Sequence, residues 1–256
     1  MKMYEKRRNV RKTVYEKYVS YHFGFSHNLK NIEIEYEKRY WWFKEHVWRF
    51  IKNLDKNSKV LVIGCGLGHE LYALQKLGFK DVLGVDISPE CINFCQEYGF
   101  NVIKMDIFEF LSNDAKTFDL IVAFDIIEHF TREESLSLAK LVYKSLSSGG
   151  IFIINVPNAN NPLALRDRYI DLTHETIYTP ESMRQLLLSA GFKKIRIVGV
   201  KSFSTIDESM QMKIFKKIIA LPIYRLSLFI LKMLYYMSGM FDIEILNERI
   251  LAIGEK

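Results

Sequence analysis

Residues 60–68 read VLVIGCGLG, four apolar residues followed by a loop that contains three glycines. An apolar run without polar alternation is typical of a strand that is buried on both faces, as in a parallel sheet. Glycines allow a sharp turn and a close approach of the backbone to a ligand, and a following helix offers free N–H groups. The stretch therefore predicts a buried strand at residues 60–63, a ligand-binding loop at 64–68 and a helix after it.

On the C-terminal side of this loop, apolar runs alternate with amphipathic segments. Further strands are predicted at residues 82–85, 102–105, 120–124, 151–156, 195–198 and 250–253. The helices between them have capping residues, with predicted starts at Ser88, Thr131 and Thr179 and predicted ends, for the last two, at Gly149-Gly150 and Gly191. This alternation predicts an α/β fold with a Rossmann-like, doubly wound and mostly parallel sheet.

The sequence pattern divides the chain into four parts. Residues 1–57 are predicted to form a helical, aromatic-rich cap, residues 58–204 the core, residues 205–245 a helical insertion and residues 246–256 the last strand. The aromatic run at 40–43 (YWWF) belongs to a segment with helical spacing of apolar residues. We expect these aromatics to pack on the core, with a lid over the binding site as the functional alternative.

Two acidic residues stand where predicted strands end. In a doubly wound sheet, ligands bind beyond the carboxyl ends of the strands. Asp86 ends the second strand, where its carboxylate could accept hydrogen bonds from both hydroxyls of a ribose. Asp106 ends the third strand and is placed to meet the amino group of an adenine.

Four stretches together resemble the successive motifs of class I S-adenosylmethionine-dependent methyltransferases: residues 60–68 (VLVIGCGLG), 84–88 (GVDIS), 104–107 (KMDI) and 118–130 (FDLIVAFDIIEHF). The resemblance covers roughly residues 58–200, together with the last seven residues. It implies S-adenosylmethionine as cofactor and a seven-stranded sheet in the order 3-2-1-4-5-7-6, with only the seventh strand antiparallel. The cofactor contacts that it implies are Gly64, Cys65, Gly66, Gly68, Asp86, Ile87, Asp106, Ile107 and Phe124.

Two details qualify the resemblance. Val62 stands where many family members have an acidic residue, which puts one cofactor contact in doubt. The loop has G-x-G-x-G spacing, whereas a nicotinamide-dependent dehydrogenase would have G-x-G-x-x-G, so the spacing favours a methyltransferase.

Two polar groups are predicted to meet beyond strands four and five: Asp125, Glu128 and His129 in one, and Asp171, His174 and Glu175 in the other. In one interpretation, His129 or His174 is a general base, since histidine titrates near neutral pH. In the other, Asp125, Glu128, His129 and His174 bind a divalent metal such as Mn²⁺ or Mg²⁺, which would hold acceptor oxygens. The second pattern is similar to metal-dependent small-RNA 2′-O-methyltransferases, with Asp125 in place of a longer Glu. Both interpretations stay open.

Candidate acceptor contacts are Tyr40, Arg166, Arg168 and Asp171. A guanidinium fork would suit a phosphate or carboxylate on the acceptor. The segments at 40–43 and 171–175 resemble bacterial O-methyltransferases that modify surface-polysaccharide sugars or their substituents, including the capsular methyl-phosphoramidate pathway. This implies a small polar acceptor; the alternatives are RNA 2′-O-methylation and a non-catalytic cofactor-binding or scaffold protein.

Charge and cysteine usage bear on partners and location. Lys and Arg exceed Asp and Glu by 36 to 30, and six of the basic residues crowd the first twelve positions. No recognisable RNA-binding module accompanies them, which argues against nucleic acid as a partner. Three cysteines form neither a disulfide framework nor a zinc site, which predicts a cytoplasmic location.

A late segment, residues 212–237, is apolar with basic residues at intervals. Its charges leave no uncharged run near the ~20 residues that a membrane span needs, so the sequence predicts no span. A helical cap over the pocket or a homodimer contact is the favoured interpretation. Peripheral contact with a membrane surface is the alternative.

Overall fold

The structure, a computed structural model, describes residues 11, 13–17, 32–112, 117–162, 164–202 and 210–256. Its seven strands are β1 (Lys59–Ile63), β2 (Asp81–Asp86), β3 (Val102–Lys104), β4 (Phe118–Phe124), β5 (Leu146–Pro157), β6 (Lys194–Val200) and β7 (Arg249–Glu255). They form one sheet in the order β3-β2-β1-β4-β5-β7-β6. Only β7 is antiparallel to its neighbours. The predicted Rossmann-like fold and strand order are confirmed.

Helices cover both faces of this sheet. They are α1 (Ile32–His46), α2 (Trp48–Ile51), α3 (His69–Lys76), α4 (Pro89–Glu97), α5 (Ile107–Leu111), α6 (Arg132–Ser145), α7 (Ala164–Ile170), α8 (Pro180–Ala190), α9 (Met210–Phe215) and α10 (Leu221–Met237). Three predicted caps are confirmed, because Ser88, Thr131 and Thr179 each accept a backbone N–H of their helix. Gly191 ends α8 in the left-handed conformation, as predicted.

The predicted end of α6 at Gly149-Gly150 is wrong. The helix ends at Ser145, and the next residues belong to β5. Leu146 pairs with Phe118 of β4, and the N–H of Gly149 donates to the carbonyl of Lys256. Because residues 146–150 belong to the sheet, they do not continue the helix, and the two glycines lie in an irregular start of β5.

The sheet is buried on both faces, as the apolar runs predict. One core layer contains Val60 and Val62 with α1 and α3, and the other contains Leu61 and Ile63 with α6 and α8. Because each face of a parallel sheet needs cover, α1 is part of the core even though it precedes the first strand.

Aromatic side chains fix α1 to the core. The hydroxyl of the buried Tyr36 donates to the carbonyl of Leu67 in the glycine loop at 2.6 Å, and its ring stacks on Tyr72. The indole N–H of Trp42 donates to the carbonyl of Lys201 at 2.8 Å. Phe43 is fully buried against Phe124. The expected packing of the aromatic stripe is observed in the described part of this segment.

We expect Tyr36→Phe to lower the free energy of unfolding by about 1–2 kcal/mol, because it leaves the buried carbonyl of Leu67 without its donor. Urea denaturation followed by circular dichroism measures the change. Tyr98→Phe is the matched control, since Tyr98 is 44% exposed and should change stability by less than about 0.5 kcal/mol. Equal effects of the two substitutions would contradict a role for the hydrogen bond.

A second prediction concerns His69, the first residue of α3. Burial, followed by the positive charge of Arg39, lowers its pKa from 6.5 to about 4. Only the unfolded chain binds the proton between these pH values, so stability present above pH 6.5 is lost as the pH falls towards 4. We expect His69→Gln to reduce this acid-dependent loss by up to about 3 kcal/mol. Urea titrations at pH 8, 6 and 4.5 test it, and parallel curves for the two proteins would refute it.

Candidate active site

The glycine loop after β1 is shaped by its backbone. Gly64, Gly66 and Gly68 have φ values of 63°, 50° and 85°, the left-handed region that favours glycine. A Cβ at Gly64 would lie 2.6 Å from Ile126, whereas one at Gly66 would meet nothing within 4 Å. The loop therefore leaves open space beside Gly66, where a ligand can approach the backbone.

Asp86 at the end of β2 holds this loop. Its carboxylate accepts the N–H of Gly66 at 2.9 Å and the N–H of Ser88 at 2.8 Å. Burial raises its pKa, and these backbone donors oppose the rise. A carboxylate has about four lone-pair positions, so acceptor capacity remains for a ligand. The next residue, Ile87, exposes 40% of its surface beside this carboxylate.

The other four residues of the predicted cofactor set fall into two groups, one at the strand ends and one in the core. Asp106 caps α5 by accepting the N–H of Phe108, and Ile107 is the first residue of that helix. The Cys65 side chain is buried against Gly84 of β2. Phe124 is buried beneath the aromatics of α1. Asp106 and Ile107 thus lie at the strand ends, while the side chains of Cys65 and Phe124 serve packing.

The two predicted polar groups do converge. A short 3₁₀ turn, Ile127–His129, follows β4, and the carbonyl of Glu128 accepts the N–H groups of Glu175 and Thr176 at 2.8 and 3.1 Å. These bonds bring the segment after α7 against the turn. As a result, the rings of His129 and His174 lie 4.6 Å apart.

Thr173 links His129 to Asp171. Its hydroxyl donates to the Asp171 carboxylate at 2.6 Å and lies 2.8 Å from Nδ1 of His129. Because the hydroxyl proton is donated to Asp171, the oxygen accepts a hydrogen bond from the Nδ1–H group of His129. The Nδ1 of His174 faces the carbonyl of Asp167, which can only accept. In its neutral form, each imidazole therefore carries its proton on Nδ1 and has its lone pair on Nε2.

Among the residues that the structure describes, His129, Asp171 and His174 form a group suited to a metal ion. One ligand atom of each lies within 4.8 Å of the others. This set differs from the sequence prediction, because Asp125 and Glu128 are not part of it. Asp171, predicted as an acceptor contact, takes their place.

Asp125 is engaged elsewhere. It has a φ of 54°, rare for a residue other than glycine, and it forms an ion pair with Arg249, whose Nε donates to Asn155 at 2.6 Å. Partial burial tends to raise the pKa of Asp125, but the charges of Arg249 and Arg39 outweigh it and hold this pKa below its usual range. Asp125, predicted from the sequence as a metal ligand, thus balances the charge of Arg249.

Glu128 is the least compensated acid of the site. It is 1% exposed, and its Oε2 has no hydrogen-bond partner among the described residues. Burial, and then the charge of Asp125, raises its pKa to about 8. Burial and the neighbouring His174 lower the pKa of His129 to about 4, which leaves this imidazole neutral at pH 7.

Part of the N-terminal segment lies over this group. The Tyr15 ring meets the His129 ring edge-on, with centroids 6.0 Å apart. Arg11 forms an ion pair with Glu134 at 2.6 Å and lies over the Phe130 ring. Most of the basic run at residues 2–12 lies outside the described residues.

The remaining acceptor candidates are scattered. Tyr40 is buried, with Lys44 donating to its hydroxyl at 3.3 Å and Lys76 over its ring. Arg168 donates to the carbonyl of His174, so it supports the histidine backbone. Arg166 is exposed on α7. Of the four predicted contacts, only Asp171 lies in the histidine group.

Sequence reasoning gave no role to Thr173, Arg249 or Tyr15. Thr173 stands between Asp171 and His174 in the segment that had already been singled out. Arg249 precedes the last apolar run, and an antiparallel last strand starts where β5 ends. That position was a usable signal, whereas nothing local marked Tyr15.

The chain matches the methyltransferase domain family over residues 36–197. It is 31% identical over 150 residues to the phosphoethanolamine N-methyltransferase of Plasmodium falciparum, an alignment that covers 56% of each protein. The chain spans 30% to 56% of the length of the phosphoethanolamine N-methyltransferases that it matches.

Solved structures share the fold. A S-adenosylmethionine-dependent methyltransferase from Archaeoglobus fulgidus is 24% identical, with a TM-score of 0.61 over 88% of this chain and 99% of that one. The plantazolicin methyltransferase BpumL with bound S-adenosylhomocysteine is 18% identical, with a TM-score of 0.58 over 100% of this chain and 99% of that one. The chain therefore belongs to the methyltransferase domain family and has the fold of S-adenosylmethionine-dependent methyltransferases.

Proposed function

We propose that the chain transfers the methyl group of S-adenosylmethionine to an oxygen of a small polar acceptor. The observation that carries this proposal is the hydrogen-bonded series from His129 through Thr173 to Asp171. This series lies at the same edge of the sheet as the glycine loop. It gives the edge of the sheet a neutral imidazole with a fixed Nε2 lone pair. Such a group can accept a proton from an acceptor hydroxyl.

In this proposal the cofactor lies across the ends of β1, β2 and β3. Gly64, Gly66 and Gly68 let the backbone approach it, and Asp86 accepts hydrogen bonds from its ribose. Ile87, Asp106 and Ile107 border the adenine. The positive sulfonium needs no activation, so the protein contributes alignment and removal of a proton.

A divalent metal at the same edge is the alternative to a free base, because it would bind the Nε2 lone pair of His129. His129, Asp171 and His174 would hold it through two nitrogens and a carboxylate oxygen, a donor set that suits Mn²⁺, Fe²⁺ or Zn²⁺ better than Ca²⁺. Their Nδ1 atoms are already hydrogen-bonded, the arrangement that orients histidine ligands in metal sites. When bound, the metal would lower the pKa of a hydroxyl on the acceptor.

The acceptor class rests on resemblance. The segments at residues 40–43 and 171–175 resemble those of bacterial enzymes that methylate surface-polysaccharide sugars or their phosphoramidate substituents. We therefore place the acceptor among such molecules, in the cytoplasm. A second candidate is N-methylation of a phosphorylated amine, favoured by the match to phosphoethanolamine N-methyltransferases. RNA methylation stays an alternative and a homodimer stays a prediction, whereas the match to the methyltransferase domain family speaks against the non-catalytic alternative.

We expect Asp86→Asn to raise the Kd of S-adenosylhomocysteine by about 10- to 100-fold, the loss of a charged hydrogen-bond acceptor. Isothermal titration calorimetry measures it. Asp81→Asn is the matched control, because this exposed carboxylate starts the same strand at its opposite end. A cofactor site elsewhere would leave the affinity of Asp86→Asn unchanged.

We expect Thr173→Val to lower kcat by about 10- to 100-fold with little change in cofactor affinity, because it removes the link that fixes His129. Thr173→Ser should retain most of the rate. Methyl transfer from labelled S-adenosylmethionine to hexoses, sugar phosphates, phosphoethanolamine and RNA identifies the acceptor class and supplies the rates. Full activity of Thr173→Val would exclude the proposed role.

Metal use is tested by titrating Mn²⁺ and Mg²⁺ calorimetrically into metal-stripped protein that holds S-adenosylhomocysteine. We expect one site that His129→Ala, Asp171→Ala and His174→Ala each abolish and Asp125→Asn retains. Loss of metal binding in Asp125→Asn would instead support the ligand set predicted from the sequence, which includes Asp125. Absence of binding to the unaltered protein would leave His129 as a metal-free base.

A further inference from the structure

The late apolar segment forms an exposed helix. Residues Lys216–Met237 are helical, long and apolar enough to cross a membrane by length and composition, with a mean hydropathy of 1.7 and none of that stretch buried. The sequence predicted no span here because charges interrupt the apolar run, and length and composition alone do not overturn that prediction. Between positions 209 and 241 the chain has basic residues but no Asp or Glu. The surface therefore combines apolar side chains with positive charge.

One side of this helix is fixed to the protein. Tyr224 accepts a hydrogen bond from the Asn247 side chain at 2.9 Å, and Tyr235 donates to the carbonyl of Asn160 at 2.8 Å. The half-buried residues of the helix form a stripe, mostly at a spacing of three or four positions: Lys216, Ala220, Leu221, Tyr224, Leu228, Leu231 and Tyr235. The helix thus lies along the body of the protein and is held at two points.

The opposite side is a broad apolar face. At about 100° per residue, its exposed side chains cover roughly half of the circumference. They are Ile223, Leu226, Phe229, Ile230, Met233, Leu234, Tyr236 and Met237. Arg225 and Lys232, seven residues apart, lie along one border between this face and the docked stripe. Apolar side chains bordered by basic ones are the arrangement of helices that lie in a membrane interface.

Charge and anchoring decide between the occupants of this face. A second copy would bring like charges together without an acid on the helix to neutralise them. A span across the bilayer would place Arg225 and Lys232 in hydrocarbon, which costs several kcal/mol, and would break both tyrosine contacts. An anionic lipid surface satisfies the apolar face and the basic border at once.

We propose that the face formed by α10 rests on an anionic membrane surface and inserts its apolar side chains among the lipids. The two anchoring points lie at the strand ends that also carry the active site: Asn160 follows β5, and Asn247 precedes β7. Contact through α10 therefore brings the candidate active site close to the lipid headgroups. An acceptor carried on a lipid, or made at the membrane, is within reach of an enzyme held there.

Vesicle flotation with the full chain tests this. We expect the protein to float with phosphatidylcholine vesicles that contain about 30% phosphatidylglycerol. Its partition into these vesicles should exceed that into pure phosphatidylcholine by about fivefold for each basic residue at the surface. Phe229→Glu with Met233→Glu should reduce the lipid partition coefficient more than about tenfold. Ile34→Glu with Leu188→Glu, at residues each 54% exposed on α1 and α8, should not reduce it.

The basic border is tested separately. Arg225→Gln and Lys232→Gln should each lower the lipid partition coefficient about fivefold on anionic vesicles only.

Two outcomes would overturn the proposal. One is the absence of flotation, or flotation that the Phe229 and Met233 substitutions leave unchanged. The other is a dimer in sedimentation velocity that these substitutions convert to a monomer, without any lipid binding, since this would assign the face to a second copy. Binding of S-adenosylhomocysteine by the same samples shows that they are folded. It also separates failure of the membrane contact from failure of the proposed methyl transfer.

Discussion

Parallel pairing of β2, β1, β4 and β5 obliges each of these strands to end at the same edge of the sheet. The glycine loop, Asp86 and the turn that carries His129 are far apart in sequence, yet they share that edge for this reason alone. No side chain of the site creates this arrangement. The strands impose it, and the side chains use the space that remains where the backbone hydrogen bonding of the sheet stops.

Bringing polar groups to a buried edge has an energetic cost, and the local hydrogen bonds show how the chain offsets it. Asp86 accepts two N–H groups, Asp125 neutralises Arg249, and Asp171 accepts the hydroxyl and N–H of Thr173. Glu128 is the exception, since its Oε2 is buried without a partner among the described residues and its pKa rises to about 8. Buried polar atoms without a partner are uncommon in folded proteins, so Glu128 is the acid whose burial the surrounding groups offset least.

The sequence predicted the strands, three helix caps and the meeting of the two polar groups, because apolar runs, capping residues and strand ends are local signals. The sheet order came from the resemblance to class I methyltransferases. The sequence did not predict which acid joins the histidines. Asp125 and Asp171 both lie near an imidazole in sequence, and the difference between them is the ion pair that Asp125 forms with Arg249, 124 residues away. The predicted end of α6 at Gly149-Gly150 was wrong for a similar reason, because Leu146 pairs with Phe118 in the sheet and the helix stops before the glycines. Tertiary partners decided both cases.

The antiparallel strand β7 connects the two surfaces of the molecule that concern function. Because it runs against β5, its start lies where β5 ends, and this brings Arg249 to Asp125 and Asn247 to Tyr224. The same reversal that completes the charge balance of the candidate active site therefore provides an anchor for α10. Asn247 and Arg249, two residues apart at the start of this strand, thus contact α10 and the candidate active site respectively.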